Sequence, residues 1–255
     1  MKNKEDGFGY NERLFPGGIR GRFHLARFNW ISSELTKRRC AAGTVLELGC
    51  FDGKLIDHLP VKPKRYVGFD ANWEGGLDLA AKKWNRHANF DFREAHVPED
   101  MALERRDKFD IAVSMETLEH VPPHLVDGYL RKIADHLDGH LFVTVPNEKG
   151  LVFITKWTLK RLLSKDAHAY TAGELVNATL GRMERVERDE HKGFDYAAMV
   201  QAIDKHFDVI SVSGHPFGFL PRWLCFSIGI VAKSRPPAGA RARARMKGVD
   251  SRVEA

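Results

Sequence analysis

Two acids and two glycines carry the first chemistry legible in this chain. The run Val45-Leu46-Glu47-Leu48-Gly49-Cys50-Phe51-Asp52-Gly53 is an apolar segment that ends in a glycine turn, with an acid set inside its last residues. A second apolar run, Tyr66-Val67-Gly68-Phe69-Asp70, ends on a lone acid. Glycines let a backbone approach a ligand with no Cβ in the way, and an acid at the following strand tip accepts hydrogen bonds from a ribose. Together they are the layout of a nucleoside-binding crevice. The turn reads acid-x-Gly-x-x-x-Gly instead of the dinucleotide pattern G-x-G-x-x-G. A pyrophosphate wants a bare helix N-terminus, and Glu47 beside the turn would repel one while suiting a cationic group.

A second constellation is Ser114-Met115-Glu116-Thr117-Leu118-Glu119-His120-Val121, which leaves another apolar run. With the glycine turn, it resembles the motifs of class I S-adenosylmethionine (AdoMet) methyltransferases of the ubiquinone and small-molecule type. The family's first motif is acid-x-Gly-x-Gly-x-Gly, and Phe51 stands at the middle glycine, where its side chain is expected to narrow the turn. The resemblance implies AdoMet as cofactor. Glu47 would meet its cationic end, and the turn Gly49, Cys50 and Gly53 its methionine moiety. Asp70, next to Ala71, would take the ribose hydroxyls and have no other partner. Glu94 and Ala95, with His96, would flank the adenine, and Met115 would pack on the adenosine face. Glu116, Glu119 and His120 would line the acceptor rim. His120 and His191 are the candidate general bases, since imidazole titrates near neutral pH.

Each assignment has a plainer alternative in the residues themselves. Asp70 could cap the following helix, Gly49 and Gly53 could be ordinary turn glycines, and His120 could tie its loop to the sheet. Asp52 and Asp195 read as helix N-caps. No metal site is expected: Pro122-Pro123 denies His120 and His124 a common helical face, and no His-Glu-x-x-His or Cys-x-x-Cys spacing occurs. The Glu116 and Glu119 carboxylates would hold a hard cation only loosely.

These residues require an α/β frame. Leu25, Phe28, Ile31 and Leu35 predict an amphipathic helix over 24–39, with Trp30 off the stripe. Strands are predicted at 44–49, 65–70, 89–93, 109–114 and 140–145, separated by helices at 53–59, 75–86 and 122–136. After Pro146-Asn147 the rhythm breaks until a helix at 195–206. Two closing apolar runs, 207–212 and 224–232, lie too close for a helical crossover, so they must pair antiparallel. The reading is an α/β, Rossmann-like seven-stranded sheet, mostly parallel, with an antiparallel C-terminal hairpin and a helical insertion after the fifth strand. Residues 1–232 form one domain, with a helical lead-in over 1–40 and an acceptor lid over 148–194.

Within the lid, segment 149–165 carries five cations and no acid. On a helical projection Leu151, Val152, Ile154, Leu159, Leu162 and Leu163 share one face, opposite Lys156, Lys160 and Arg161, with Phe153 and Trp157 among the cations. This is either a lid packed on the sheet with a solvated back, or a helix resting on a membrane or on a lipid-linked or anionic acceptor.

The chain has 255 residues and a net charge of +6, with 43% hydrophobic and 29% charged residues. The basic run beyond residue 232 holds most of that charge and reads as a disordered tail, leaving a nearly neutral body that argues against duplex nucleic acid. Three cysteines without paired spacing suggest a reducing, cytoplasmic setting, with peripheral membrane contact through 149–165 and the tail. The function implied by the resemblance is methyl transfer from AdoMet to a small-molecule, glycan or lipid-linked acceptor, favouring oxygen. A non-catalytic AdoMet-binding scaffold and a nicotinamide-dependent oxidoreductase are the alternatives.

Overall fold

Strands β1 (Thr44–Leu48), β2 (Arg65–Asp70), β3 (Phe90–Glu94), β4 (Phe109–Met115), β5 (Leu137–Pro146), β6 (Phe207–His215) and β7 (Ser227–Ser234) form one sheet in the order β3-β2-β1-β4-β5-β7-β6. The computed structural model describes residues 19–163, 170–189, 191–216 and 219–235. Neighbours from β3 to β5 are parallel, and β7 runs antiparallel to both β5 and β6. The sheet is therefore the predicted mixed sheet with its C-terminal hairpin. Strand order reverses between β1 and β4, and a crevice opens beyond their carboxyl ends at that switch point.

Helices cover both faces. On one lie α1 (Ile19–Lys37), α2 (Leu55–His58) and α3 (Gly76–Lys83). Phe28, Ile31, Leu35, Leu55 and Leu77 pack there on Val45, Tyr66, Val113 and Phe142. On the other lie α4 (Pro123–His136) and α7 (Tyr196–His206), whose Leu130, Ile133 and Ile203 pack on Leu46, Leu48, Ala112 and Val143. The alternation Val45/Leu46 follows the two-residue period of a strand. It also puts Glu47 on the α1 face, next to Tyr66. Trp30, off the predicted stripe, has a use: its indole lies on Gly229 of β7, where a Cβ would collide with the ring, and Nε1 donates to Ser213 Oγ at 3.2 Å.

The insertion carries α5 (Gly150–Leu163) and α6 (Ala172–Thr179). Thr171 and Glu174 form a reciprocal capping box at the start of α6. Phe153, Ala178, Met183 and Val186 make a small core of their own. This corrects the predicted face of α5. Phe153 is buried, whereas Leu151 and Leu159 are exposed, because the helix packs on α6 and on the 3₁₀ turn Met183–Arg185. The side chains of Lys160, Leu162 and Leu163 and the tail beyond 235 lie outside the described residues.

Candidate active site

The β1 tip turns sharply. Gly49 and Gly53 hold φ of 81° and 68°, and Phe51 between them holds 44°, the left-handed region that glycine enters freely. A Cβ at Gly49 would collide with the Thr117 side chain, so this position needs glycine on two counts. Phe51 occupies the family's middle glycine without closing the turn. Its ring swings onto Gly76 at the start of α3, where any Cβ would strike it. The Cys50 thiol likewise packs over Gly68 of β2, leaving its backbone at the turn.

The β2 tip braces that turn. Asp70 Oδ2 accepts from Phe51 N at 3.0 Å and Oδ1 from Asn72 N at 2.8 Å. Asp70 was expected to have no partner but a sugar; it also anchors the loop that faces it. Asp52 caps the turn into α2 by accepting from Lys54 N at 3.1 Å, as predicted.

A cavity of about 330 Å³ opens over the two tips. It brings together Glu47, Gly49, Cys50, Asp70, Ala71, Ala95, Met115, Glu116 and His120 of the predicted set. Glu47 is 1% exposed and accepts a hydrogen bond from the Tyr66 hydroxyl. Burial lifts its carboxyl well above the usual range, with Asp52 and Asp70 adding to the rise and the Tyr66 bond opposing it. Gly53 sits behind the turn against Trp84 and Phe92, outside the lining. Glu94 is not brought in either: its exposed carboxylate pairs with His96 Nε2 at 2.7 Å and leans on Asn72. His191 also lies outside the cavity wall but reaches it indirectly, its ring 4.4 Å from that of His120.

That contact assembles a cluster that local spacing could not show. Ligand atoms of Glu119, His120 and His191 lie within 4.8 Å of one another. Glu119 is fully buried, and among the described residues neither carboxylate oxygen has a hydrogen-bond partner. Burial and then the neighbouring Glu116 push its carboxyl well above the ordinary range. Arg188, from the insertion, donates to the Glu119 backbone carbonyl and stacks over Phe194, holding the insertion against the β4 exit. An O/N donor set of this kind suits Mg²⁺, Mn²⁺ or Zn²⁺. The expectation of no metal site rested on near neighbours in sequence, and His191 is brought in by the fold.

Sequence reasoning missed Arg27, read only as part of the lead-in helix. Its side chain lines this cavity and a second one of about 150 Å³, with Glu116, Lys156, His215, Phe226 and Ser227. Burial, set against Glu116, lowers His215 to about 4, so its ring is neutral there. It stacks on Trp30 with centroids 5.7 Å apart.

A seven-stranded sheet ending in an antiparallel hairpin, with acids at the β1 and β2 tips facing one cavity, defines the class I AdoMet-dependent methyltransferases. Residues 26–179 match the family model described as a methyltransferase domain, and the chain belongs to that family. It is 30% identical over 151 residues to the ubiquinone biosynthesis O-methyltransferase of Acinetobacter baylyi, an alignment covering 56% of this chain and 61% of that protein. It is 28% identical over 184 residues to the protein of the same name from Bordetella pertussis, covering 69% and 74% of the two chains. In structure it resembles an S-adenosylmethionine-dependent methyltransferase from Clostridium acetobutylicum, with a TM-score of 0.59, 12% identity and coverage of 83% and 92%.

Proposed function

We propose that this protein transfers a methyl group from AdoMet to an oxygen of a small hydroxylated acceptor. The observation that carries the reading is the sharing of one cavity by Glu47, Asp70, Met115 and His120. Asp70 would hold the ribose, Glu47 the cationic end of the methionine moiety, and Met115 the adenosine face. Held there, AdoMet would offer its sulfonium methyl for in-line displacement by the acceptor oxygen, the carbon–sulfur bond breaking to release S-adenosylhomocysteine. AdoMet supplies the reactivity, and the protein supplies alignment and a destination for one proton. His120, at the rim and against His191, is placed to take that proton. The second cavity, sharing Arg27 and Glu116 with the first, is the acceptor's seat. The names of the two relatives support an oxygen acceptor on a small molecule. Exposed Leu151, Phe219 and Trp223 on the insertion side support an acceptor with an apolar tail, and peripheral contact with a membrane. Among the described residues no helix is long and apolar enough to cross one.

A second reading of the proton-handling cluster is favoured by the two unpartnered oxygens of Glu119. In it, Glu119, His120 and His191 hold a divalent cation that polarises the acceptor hydroxyl. Calorimetry with AdoMet and S-adenosylhomocysteine, then mass spectrometry of phenolic acceptors incubated with labelled AdoMet, tests the main reading. Turnover lost in EDTA and restored by Mg²⁺ or Mn²⁺ selects the cation; turnover indifferent to EDTA selects the histidine pair alone. Cofactor binding without turnover on any acceptor supports a scaffold, and preference for NAD overturns the assignment.

A further inference from the structure

Where β3 leads out beside the cavity, the wall includes the phenol of Tyr129. Glu94, expected beside the adenine, is turned outward onto His96 and Asn72. The backbone at this end is apolar Ala95 followed by a loop fixed by Asp100, which accepts from His96 N at 2.8 Å and Val97 N at 3.1 Å. Helix α4 comes close here: a Cβ on Gly128 would lie 2.8 Å from Pro98. This approach seats the next residue, Tyr129, against the loop and in the cavity wall with Ala95, His96, Val121 and Pro122. Tyr129 is 3% exposed. Among the described residues its hydroxyl makes no hydrogen bond, and it is not one of the atoms cut off from solvent.

We propose that Tyr129 is a specificity residue whose hydroxyl hydrogen-bonds the 6-amino group of the bound purine, the role that the sequence pointed to at Glu94. This deepens the AdoMet reading and rests on it. Three features meet at this residue. It is the polar side chain contributed by α4 to a wall made there by Ala95, His96, Val121 and Pro122, and the His96 ring is already paired with Glu94. Its hydroxyl both donates and accepts, so it can accept a hydrogen bond from the exocyclic amine or donate one to the adjacent ring nitrogen. Burial, with Asp100 and Glu99 nearby, pushes the phenol up to about 12, so it stays an uncharged hydroxyl across the working range.

The test uses the whole chain and two ligands, S-adenosylhomocysteine and its 6-deamino analogue with hydrogen at the purine six-position. A neutral hydrogen bond corresponds to roughly a 3- to 10-fold change in affinity. The wild type is expected to bind the amino ligand tighter than the deamino ligand by about that factor. Tyr129→Phe is expected to weaken the amino ligand equally and to leave the deamino ligand unchanged. Its thermal midpoint should match the wild type, because the hydroxyl has no bond to lose in the free protein. Equal weakening of both ligands would mean a packing role and overturn the proposal, as would a variant that binds the amino ligand like the wild type. A wild type that binds neither ligand removes the AdoMet reading along with it.

Discussion

Asp70 accepts a hydrogen bond from the backbone N–H of Phe51 at 3.0 Å, joining the tip of β2 to the turn at the tip of β1. The bond ties the acid proposed to hold the sugar to the loop proposed to face the methionine end, so one carboxylate sets the positions of both. It also explains how a phenylalanine is accepted where the family carries glycine: Phe51 is fixed at φ of 44° by a bond to its own nitrogen, and its ring rests on Gly76.

Asp70→Ala is therefore expected to do more than lose the ribose. Two hydrogen bonds to a charged acceptor go with it, each of order 2 kcal/mol. AdoMet affinity should fall by at least about 100-fold, and exchange of the Phe51 amide should accelerate. Asp70→Asn keeps one acceptor oxygen and should retain the slow amide while still losing affinity. Calorimetry and hydrogen exchange on the two variants check this; unchanged Phe51 exchange in Asp70→Ala would show that the turn holds itself.

At Phe51 the backbone and the ring make opposite contributions. A non-glycine residue in the left-handed region costs about 1–2 kcal/mol, and Phe51 recovers this through contact with Gly76. Phe51→Ala keeps the strain and drops the ring, whereas Phe51→Gly drops both. The glycine variant should be more stable than the alanine variant by about 1 kcal/mol, the reverse of the usual order inside a regular element. Urea unfolding of both proteins measures the difference.

Gly49→Ala should unite two penalties, a φ of 81° and a collision with Thr117. A loss of roughly 2–4 kcal/mol and of cofactor binding is expected. Adding Thr117→Ala should relieve the collision and leave the backbone part, about 1–2 kcal/mol. Full rescue by the double variant would mean that the glycine is needed for space alone.

How much of this was legible beforehand depends on distance along the chain. The glycine turn, Asp70 and the β4 exit lie within short motifs whose periodicity and punctuation reveal strand tips, and the hairpin followed from the gap between its strands. The meeting of His191 with His120 was not legible, because it is created by packing of the insertion against the β4 exit through Arg188. Arg27 and Tyr129 were hidden for a different reason. Each sits on a helix whose apolar stripe accounts for its fold, so nothing local distinguishes a cavity-lining side chain from a solvated or core one. Glu94 was assigned by its position after the third strand alone, which does not reveal that His96 and Asn72 draw its carboxylate out of the cavity wall.

Glu119 gives a pH prediction whose sign is fixed by burial. Its carboxyl is raised above the ordinary 4.5, so in the folded state it holds a proton that the unfolded chain has already released. Stability is thus full below the unfolded value and declines as pH rises toward the folded one. Glu119→Gln removes the ionisation, so its gain in thermal midpoint should be larger near pH 8 than near pH 5. If the cluster holds a divalent cation, Mg²⁺ or Mn²⁺ should raise the wild-type midpoint most at the higher pH and leave Glu119→Gln less affected.

The insertion gives the last prediction. Of the cations read along 149–165, Lys149 pairs with Asp195 and Lys156 with Glu148 at 2.6 Å, so neither is available to a lipid headgroup without breaking a contact inside the protein. The exposed apolar side chains Leu151, Leu159 and Trp223 remain. Vesicle binding should therefore be carried by apolar contact and be only weakly sensitive to salt, unlike the strong salt dependence of a basic helix lying on an anionic surface. In co-sedimentation with vesicles containing anionic lipid, Trp223→Ala with Leu159→Ser is expected to lower the bound fraction several-fold, of the order given by losing two buried apolar side chains. A wild type that stays in the supernatant at low salt would reduce the insertion to a cover for the acceptor cavity.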